Sequence, residues 1–279
     1  MRTFQHARGL RSDGVCDEHT WLALVEASWS LGDRSLYLTS PNLRGDDVAE
    51  LQTRLARLGF DPWRVDGIFG PHTAEALADF QANCGLTTDA VCGPETVRAL
   101  LRVSGQTGDG PGVATVRERE DLRGGPASIA HCRIVVGQFG GLSGLARALA
   151  RDLRVRGAAV ITLDEPDALA QARTANYFSA DLYLGFESRT ERRTVVHYYR
   201  VPNFESVGGH TLADDIVAEL HTIDEIRATT EGMRLPILRE TRMPAVLVTI
   251  GPVRRAVDAS PLVADAVVRA VELWISRAG

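Results

Sequence analysis

The sequence predicts small three-helix repeats followed by an α/β domain whose mostly parallel sheet is flanked by helices. Three observations predict it. FQHARGLRSDGVCDEHTWLAL, beginning at Phe4, matches FQANCGLTTDAVCGPETVRAL, beginning at Phe80, at a constant offset of 76. Phe, Gln, Gly, Leu, Asp, Val, Cys, Thr, Ala and Leu recur in register without a gap, which marks an internal repeat. From about His131 onward, short apolar runs alternate with amphipathic helical stretches, the pattern of strands crossed over by helices. Between these regions lies a stretch rich in Gly, Pro and charge.

Taken in order, residues 1–40 form a truncated repeat. Only three residues precede its Phe4-Gln5, so the preceding helix is missing and the expected gene start lies upstream of Met1. Residues 41–103 form the complete copy. Its first helix, Asp46 to Leu58, places Val48, Leu51, Leu55 and Leu58 on one face, with Asp46 and Asp47 suited to its N-terminus. Gly59 ends it. A turn at Asp66-Gly67-Ile68-Phe69-Gly70 precedes Pro71, which starts a helix with Ala74, Leu77, Ala78 and Phe80 inward; a third helix starts at Pro94. Residues 104–130, containing GQTGDGPG and RERED, read as a linker. Residues 131–279 carry the α/β pattern. Strands are expected at Arg133 to Val136, Ala159 to Leu163, Asp181 to Phe186, Thr194 to Tyr199 and Ala245 to Ile250. Helices are expected at Gly144 to Arg156, Pro166 to Phe178, Gly209 to Ile226 and Pro261 to Arg277.

Composition narrows the function. The 279 residues are 44% hydrophobic and 24% charged, enough for one large domain or two ordinary ones. All 31 basic residues are Arg, read as the codon bias of a GC-rich genome, and the net charge of −5 argues against nucleic-acid or membrane-surface binding. No apolar run is long enough to span a bilayer, and MRTFQHARGLRSDGVCDEHT lacks the apolar core of a signal peptide; a cytoplasmic location is expected. Cys16, Cys84, Cys92 and Cys132 show no CxxC pair and read as reduced thiols. Cys16 and Cys92 occupy equivalent repeat positions, where a small apolar side chain serves packing.

The motifs V-x-x-L-Q-x-x-L-x-x-L-G-F, V-D-G-I-F-G-P-x-T, F-Q and D-A-V-C-G-P-E-T resemble the peptidoglycan-binding domain-1 family. The resemblance implies a three-helix module that docks on cell-wall glycopeptide. Most of the motif reads as turn punctuation and core, which leaves Trp63, Arg64, Asp66 and His72 as candidate ligand contacts.

In the second region, RIVVGQFGG, A-R-T-A-N-x-x-x-A-D-L-Y-L, the H-T-L-A-D-D-I helix, L-P-I-L-R-E-T-R-M-P-A-V-L-V and the closing helix together resemble the zinc-dependent N-acetylmuramoyl-L-alanine amidases of type 3. The resemblance implies hydrolysis of the amide between muramic acid and the stem peptide, with zinc held by His, Glu and His and a further Glu as base. Carried over position by position, the first ligand becomes Phe139 and the third Glu187, while the base becomes Thr249. The second ligand has no counterpart, because no carboxylate occurs from Phe139 to Arg151. His197 and His210 stand at no metal-ligand spacing from Glu187 and read as structural, and Glu191-Arg192-Arg193 reads as a solvated turn. Neither a catalytic group nor bound zinc is therefore expected.

The combination is similar to the actinobacterial cytoplasmic amidase-like regulators of peptidoglycan precursor synthesis. It implies a pseudoenzyme that binds peptidoglycan or its precursors, and a cell-wall biosynthetic enzyme, and so regulates peptidoglycan metabolism. The alternative is a functional, exported amidase with a non-standard site.

Overall fold

The computed structural model describes residues 1–104, 112–201, 204–224 and 226–278. They fall into two compact units, Met1–Glu118 and a second comprising Arg119–Val201 and Glu205–Gly279.

The first unit is helical: α1 Arg2–Ala7, α2 Glu18–Ala27, α3 Asp46–Arg57, α4 Pro71–Asn83 and α5 Pro94–Ser104. Gly70 and Pro71 open α4 as expected, with proline in the first turn, where no backbone donor is needed. Val48, Leu51 and Leu55 of α3 meet Leu77 and Phe80 of α4 and Leu100 of α5, all essentially inaccessible. Leu31 and Leu36, upstream of α3, also pack in this core, and Leu36 pairs with Cys92 through two backbone hydrogen bonds of 2.8 and 3.2 Å. Asp47 is buried at the start of α3 and held by Arg34, whose Nε donates to Oδ2 at 2.7 Å.

A single polar device builds three turns in this unit. Each uses a buried glutamine, namely Gln5, Gln52 or Gln81. Nε2 of Gln52 lies 3.0 Å from Asp66 Oδ1, from the Ile68 carbonyl and from Thr73 Oγ1. Gln81 reaches Asp89, Val91 and Thr96 at 2.8, 3.1 and 3.2 Å, and Gln5 reaches Asp13, Val15 and Thr20 at 3.2, 2.8 and 3.2 Å. In each case Oε1 accepts the backbone N–H after the aspartate, from Gly67, Ala90 or Gly14. Those three residues have φ of 72°, 55° and 87°, the left-handed region that suits glycine. The 76-residue repeat therefore contains a smaller helix-turn-helix repeat, present three times in the unit.

One packing expectation fails. Cys92 is buried, but its counterpart Cys16 is exposed, because nothing in the first copy stands where Leu36 pairs with Cys92.

The expected linker, 104–130, contains a helix, α6 Val113–Arg123. Its Gly- and Pro-rich residues 105–111 lie outside the described residues.

The second unit continues with β1 Arg133–Gln138, α7 Ser143–Val155, β2 Ala159–Asp164, α8 Ala168–Tyr177, β3 Leu182–Ser188, β4 Thr194–Val201 and β5 Phe204–Glu205. It ends with α9 Val207–Leu220, β6 Ala228–Met233, α10 Pro236–Glu240, β7 Ala245–Ile250, α11 Val253–Asp258 and α12 Ser260–Ala278. The strands form one sheet in the order β2-β1-β3-β7-β4-β5, with β6 also on β4. The pairs β2-β1, β1-β3 and β3-β7 are parallel, β7-β4 is antiparallel and β4-β6 is parallel. Alternate residues Ile134, Val136, Leu184, Phe186, Val246, Val248 and Val196 enter a core with the apolar stripes of α7, α9 and α12. The residues between them, including Tyr183, Glu187, Thr249 and His197, point to the opposite face.

The α9 helix stops at Leu220, short of the expected Ile226, where the His221 ring bonds the backbone of Ala228 at the start of β6. The strands β5 and β6 are additions to the expected set; β6 reads ATTEGM and buries only Ala228, so it carries little apolar signal.

Candidate functional site

In sheets of parallel strands, ligands meet the carboxyl ends of the strands, where loops splay apart. The strands β1, β3 and β7 end side by side, and Phe139, Glu187 and Thr249 stand at those ends. Phe139 follows β1, and its backbone N–H donates to the Phe186 carbonyl at 2.9 Å. Glu187 of β3 is in register with Thr249 of β7. Sequence positions more than a hundred residues apart are thus brought to one edge.

Their chemistry is unlike that of a metal centre. Glu187 is partly buried, and its Oε2 accepts from Arg189 at 2.7 Å. Thr249 is 6% exposed, and among the described residues its hydroxyl has no hydrogen-bond partner, nor have the buried Arg189 Nε and His197 Nδ1. His197 lies on β4, diagonally across from Thr249, since Val195 pairs with Thr249 and His197 with Leu247. Burial pushes the His197 imidazole down to about 4, helped by the Arg189 and Arg193 guanidiniums, so it is neutral at pH 7. The turn joining β3 to β4 crosses the end of β7: Arg189 N–H donates to the Ile250 carbonyl at 3.0 Å, and a side chain at Gly251 would collide with the Glu191 carbonyl. Glu191, Arg192 and Arg193 are exposed in that turn.

Sequence reading missed Asp164, a carboxylate at the end of β2 that reaches the same edge. It accepts from Ser143 Oγ at 2.9 Å and from Gln138 Nε2, while Gln138 Oε1 accepts the Gly140 N–H at 2.7 Å. Asp164 is thereby committed to holding the β1–α7 loop. His210 lies elsewhere, on α9, stacked on Tyr198 with ring centroids 4.2 Å apart.

A catalytic zinc needs three protein ligands and an open position for water. A phenyl ring, an arginine-paired carboxylate and a hydroxyl do not supply them. Among the described residues, no three His, Cys, Asp or Glu side chains are grouped to hold a metal. The residues present do not fit the zinc of the resemblance.

In the first unit, Trp63 and His72 pack edge to face at 4.4 Å. Trp63 has φ 70°, held by Asp61 Oδ1 accepting its N–H at 2.9 Å and by the Arg117 guanidinium donating to its carbonyl. Arg64 is adjacent and partly exposed, and His72 is exposed. Asp66 differs from them, because its Oδ1 is engaged by Gln52 and by the Ile68 N–H at 2.8 Å, which makes it part of the turn itself.

Residues 44–100 match the sequence model of a peptidoglycan binding domain. The N-acetylmuramoyl-L-alanine amidase CwlM of Mycobacterium tuberculosis is 34% identical over 99% of this chain and 77% of its own length. A spore cortex-lytic enzyme of Bacillus cereus is 43% identical over 60 residues, covering 22% of this chain and 23% of its own. Among solved structures, the amidase Ami1 of Mycobacterium smegmatis superposes with a TM-score of 0.45 at 13% identity, covering 54% of this chain and 99% of its own. On the near full-length match, the chain belongs to the N-acetylmuramoyl-L-alanine amidase family that includes CwlM.

Proposed function

We propose that this member of the amidase family is a binding and regulatory protein of cell-wall synthesis, which engages peptidoglycan or its precursors without hydrolysing them. The observation that carries the reading is the donor set at the carboxyl edge. Phe139 and Thr249 have no atom suited to hold zinc, and Glu187 is spent on Arg189. The relative from M. tuberculosis bears the name of an amidase; that activity requires a metal-bound water and a base, whereas the carboxylates at this edge, Glu187 and Asp164, are engaged by Arg189 and by Ser143 and Gln138.

The peptidoglycan binding domain match supports contact with the wall polymer or its precursors through the first unit. Trp63, Arg64 and His72 are the side chains offered to that ligand, and Asp66 shapes the turn beneath them. A cell-wall biosynthetic enzyme is the proposed protein partner. The proposed location is the cytoplasm, consistent with four unpaired cysteines.

The test is metal content of the purified, zinc-supplemented chain by elemental mass spectrometry, beside a muropeptide-release assay on purified sacculi. Substoichiometric zinc and no released stem peptide are expected. Near-stoichiometric zinc with release overturns the reading in favour of an amidase.

A further inference from the structure

The edge that lacks a zinc set is not chemically empty. Three polar atoms there, Arg189 Nε, Thr249 Oγ1 and His197 Nδ1, are buried and unpartnered among the described residues, whereas buried polar groups in folded proteins are nearly always satisfied. Thr249 and His197 are each more than nine-tenths buried. All three belong to one face of neighbouring elements: Thr249 at the end of β7, His197 diagonally across on β4, and Arg189 in the turn that crosses the end of β7. Arg189 and Thr249 carry donor hydrogens with no acceptor. Glu187 accepts from a terminal nitrogen of the same Arg189 at 2.7 Å, leaving its Nε, and Glu231 lies beside Arg193 at 3.4 Å. Glu231 Oε2 also stands 4.0 Å from His197 Nδ1, beyond hydrogen-bonding distance.

What the cluster lacks is an acceptor, preferably a charged one. A guanidinium edge and a hydroxyl on adjoining elements suit a planar oxyanion, since charge-assisted bonds from arginine are strong and directional. The Arg189 and Arg193 guanidiniums both act on His197, and each is paired with a carboxylate, Glu187 and Glu231. Glu187 and Arg189 retain 18% and 25% side-chain exposure, so their pair is the part of the cluster that meets solvent.

We propose that the carboxyl edge of this sheet binds the carboxylate of a small ligand, one oxygen accepting from Arg189 Nε and the other from Thr249 Oγ1, with His197 lining the floor. The site replaces metal chemistry with oxyanion recognition at the same place in the fold. It rests on the reading of the chain as a non-hydrolysing binder and adds the chemical group recognised.

The test is calorimetric titration of the full chain with N-acetyl-D-alanyl-D-alanine, its C-terminal amide and the L,L acid. The expected result is that the D,D acid binds and the amide binds at least about tenfold more weakly, as loss of charged hydrogen bonds implies. Thr249→Val, which keeps the shape of the side chain, and Arg189→Gln should each weaken acid binding by at least about tenfold. Their circular dichroism and melting are measured alongside, so that misfolding is not taken for lost binding. Absent binding of both acids, equal binding of acid and amide, or unchanged binding by Thr249→Val overturns the site. Equal binding of the D,D and L,L acids upholds a carboxylate site while removing support for a wall-peptide ligand. Zinc with muropeptide release fails the non-hydrolysing reading separately.

Discussion

The turn at Asp13-Gly14 and the turn at Asp89-Ala90 are made by the same hydrogen bonds, yet they sit on different supports. Gln5 and Gln81 are equally buried and make the same contacts. The helices that follow differ. Trp21 of α2 is 60% exposed, whereas Val97, its counterpart in α5, is 8% exposed. Leu100 of α5 is fully enclosed by the core that includes Leu51 and Leu55 of α3. The comparison teaches that the turn is specified locally by a glutamine, an aspartate and a threonine, while the closed core is supplied by a neighbouring helix. Local polar geometry thus persists where the apolar support is incomplete.

Thiol chemistry gives the largest expected contrast between the copies. Cys16 and Cys92 are equivalent in sequence, but burial pushes the Cys92 thiol up to about 12 while Cys16 is exposed. Maleimide labelling of the native protein should modify Cys16 and Cys84 readily. Cys92 should react slower by roughly a thousandfold, as its thiolate fraction dictates. Cys132, pushed up to about 11 by burial, should also resist. Peptide mapping by mass spectrometry reads the sites; comparable labelling of Cys16 and Cys92 breaks the comparison.

Removing the clasp should separate the copies next. Gln52→Ala strips acceptors from the Asp66 and Gly67 N–H groups and leaves a hole beside Thr73. A loss of about 3 kcal/mol of first-unit stability is expected in urea unfolding, given several buried groups left unsatisfied. Gln5→Ala should melt its own turn, seen as faster amide exchange at Gly14 and Val15, with little change at Gly67. Equal global losses from the two variants would show that the first copy is as integral to the core as the second.

The repeat and the five principal strands were legible because apolar periodicity and turn residues report directly on backbone state. The three-fold clasp was harder to see. Asp66 lies farther from Gln52 than Asp89 does from Gln81, so an ungapped self-comparison aligns only the Gln5 and Gln81 turns. The weakly apolar β6 and the end of α9 at Leu220, set by the His221 ring, depend on tertiary contacts that no local pattern announces. At the candidate site, Phe139, Glu187 and Thr249 were named by the family resemblance, carried over position by position. The Arg189 pairing, the burial of His197 and the reach of Asp164 from β2 follow from packing of distant segments, which periodicity does not encode.

Acid should also separate the two units. His197 carries a folded value of about 4 against an ordinary 6.5, set by burial and by Arg189 and Arg193, with Glu231 4.0 Å away. Because the folded value is the lower one, this contribution is complete above pH 6.5 and is lost as pH falls toward 4. The change amounts to about 3 kcal/mol against the second unit. In the first unit, the Val15 and Val91 N–H groups hold the Asp13 and Asp89 carboxyls below 3.8, so their contribution persists to lower pH and is lost only as those groups protonate. Denaturation followed at pH 7 and pH 4.5 by hydrogen exchange should weaken the second unit first, and His197→Phe should flatten its pH dependence. Simultaneous loss of both units, or an unchanged profile in the variant, would remove His197 as the cause.

The smallest effect concerns the one clasp that departs from glycine. Gly14 and Gly67 take the left-handed turn position at no steric cost, but Ala90 holds φ 55° with a side chain. A β-carbon in that region costs roughly 1 kcal/mol, and glycine regains it at the expense of a more flexible unfolded chain. Ala90→Gly should therefore be neutral to stabilising by about 1 kcal/mol, since Gln81 Oε1 still receives the N–H at that position. The reciprocal change, Gly67→Ala, should cost a similar amount because it installs the same strain beneath Gln52. If Ala90→Gly destabilises by more than Gly67→Ala, backbone strain is not what distinguishes the turns, and the methyl group of Ala90 has a packing role instead.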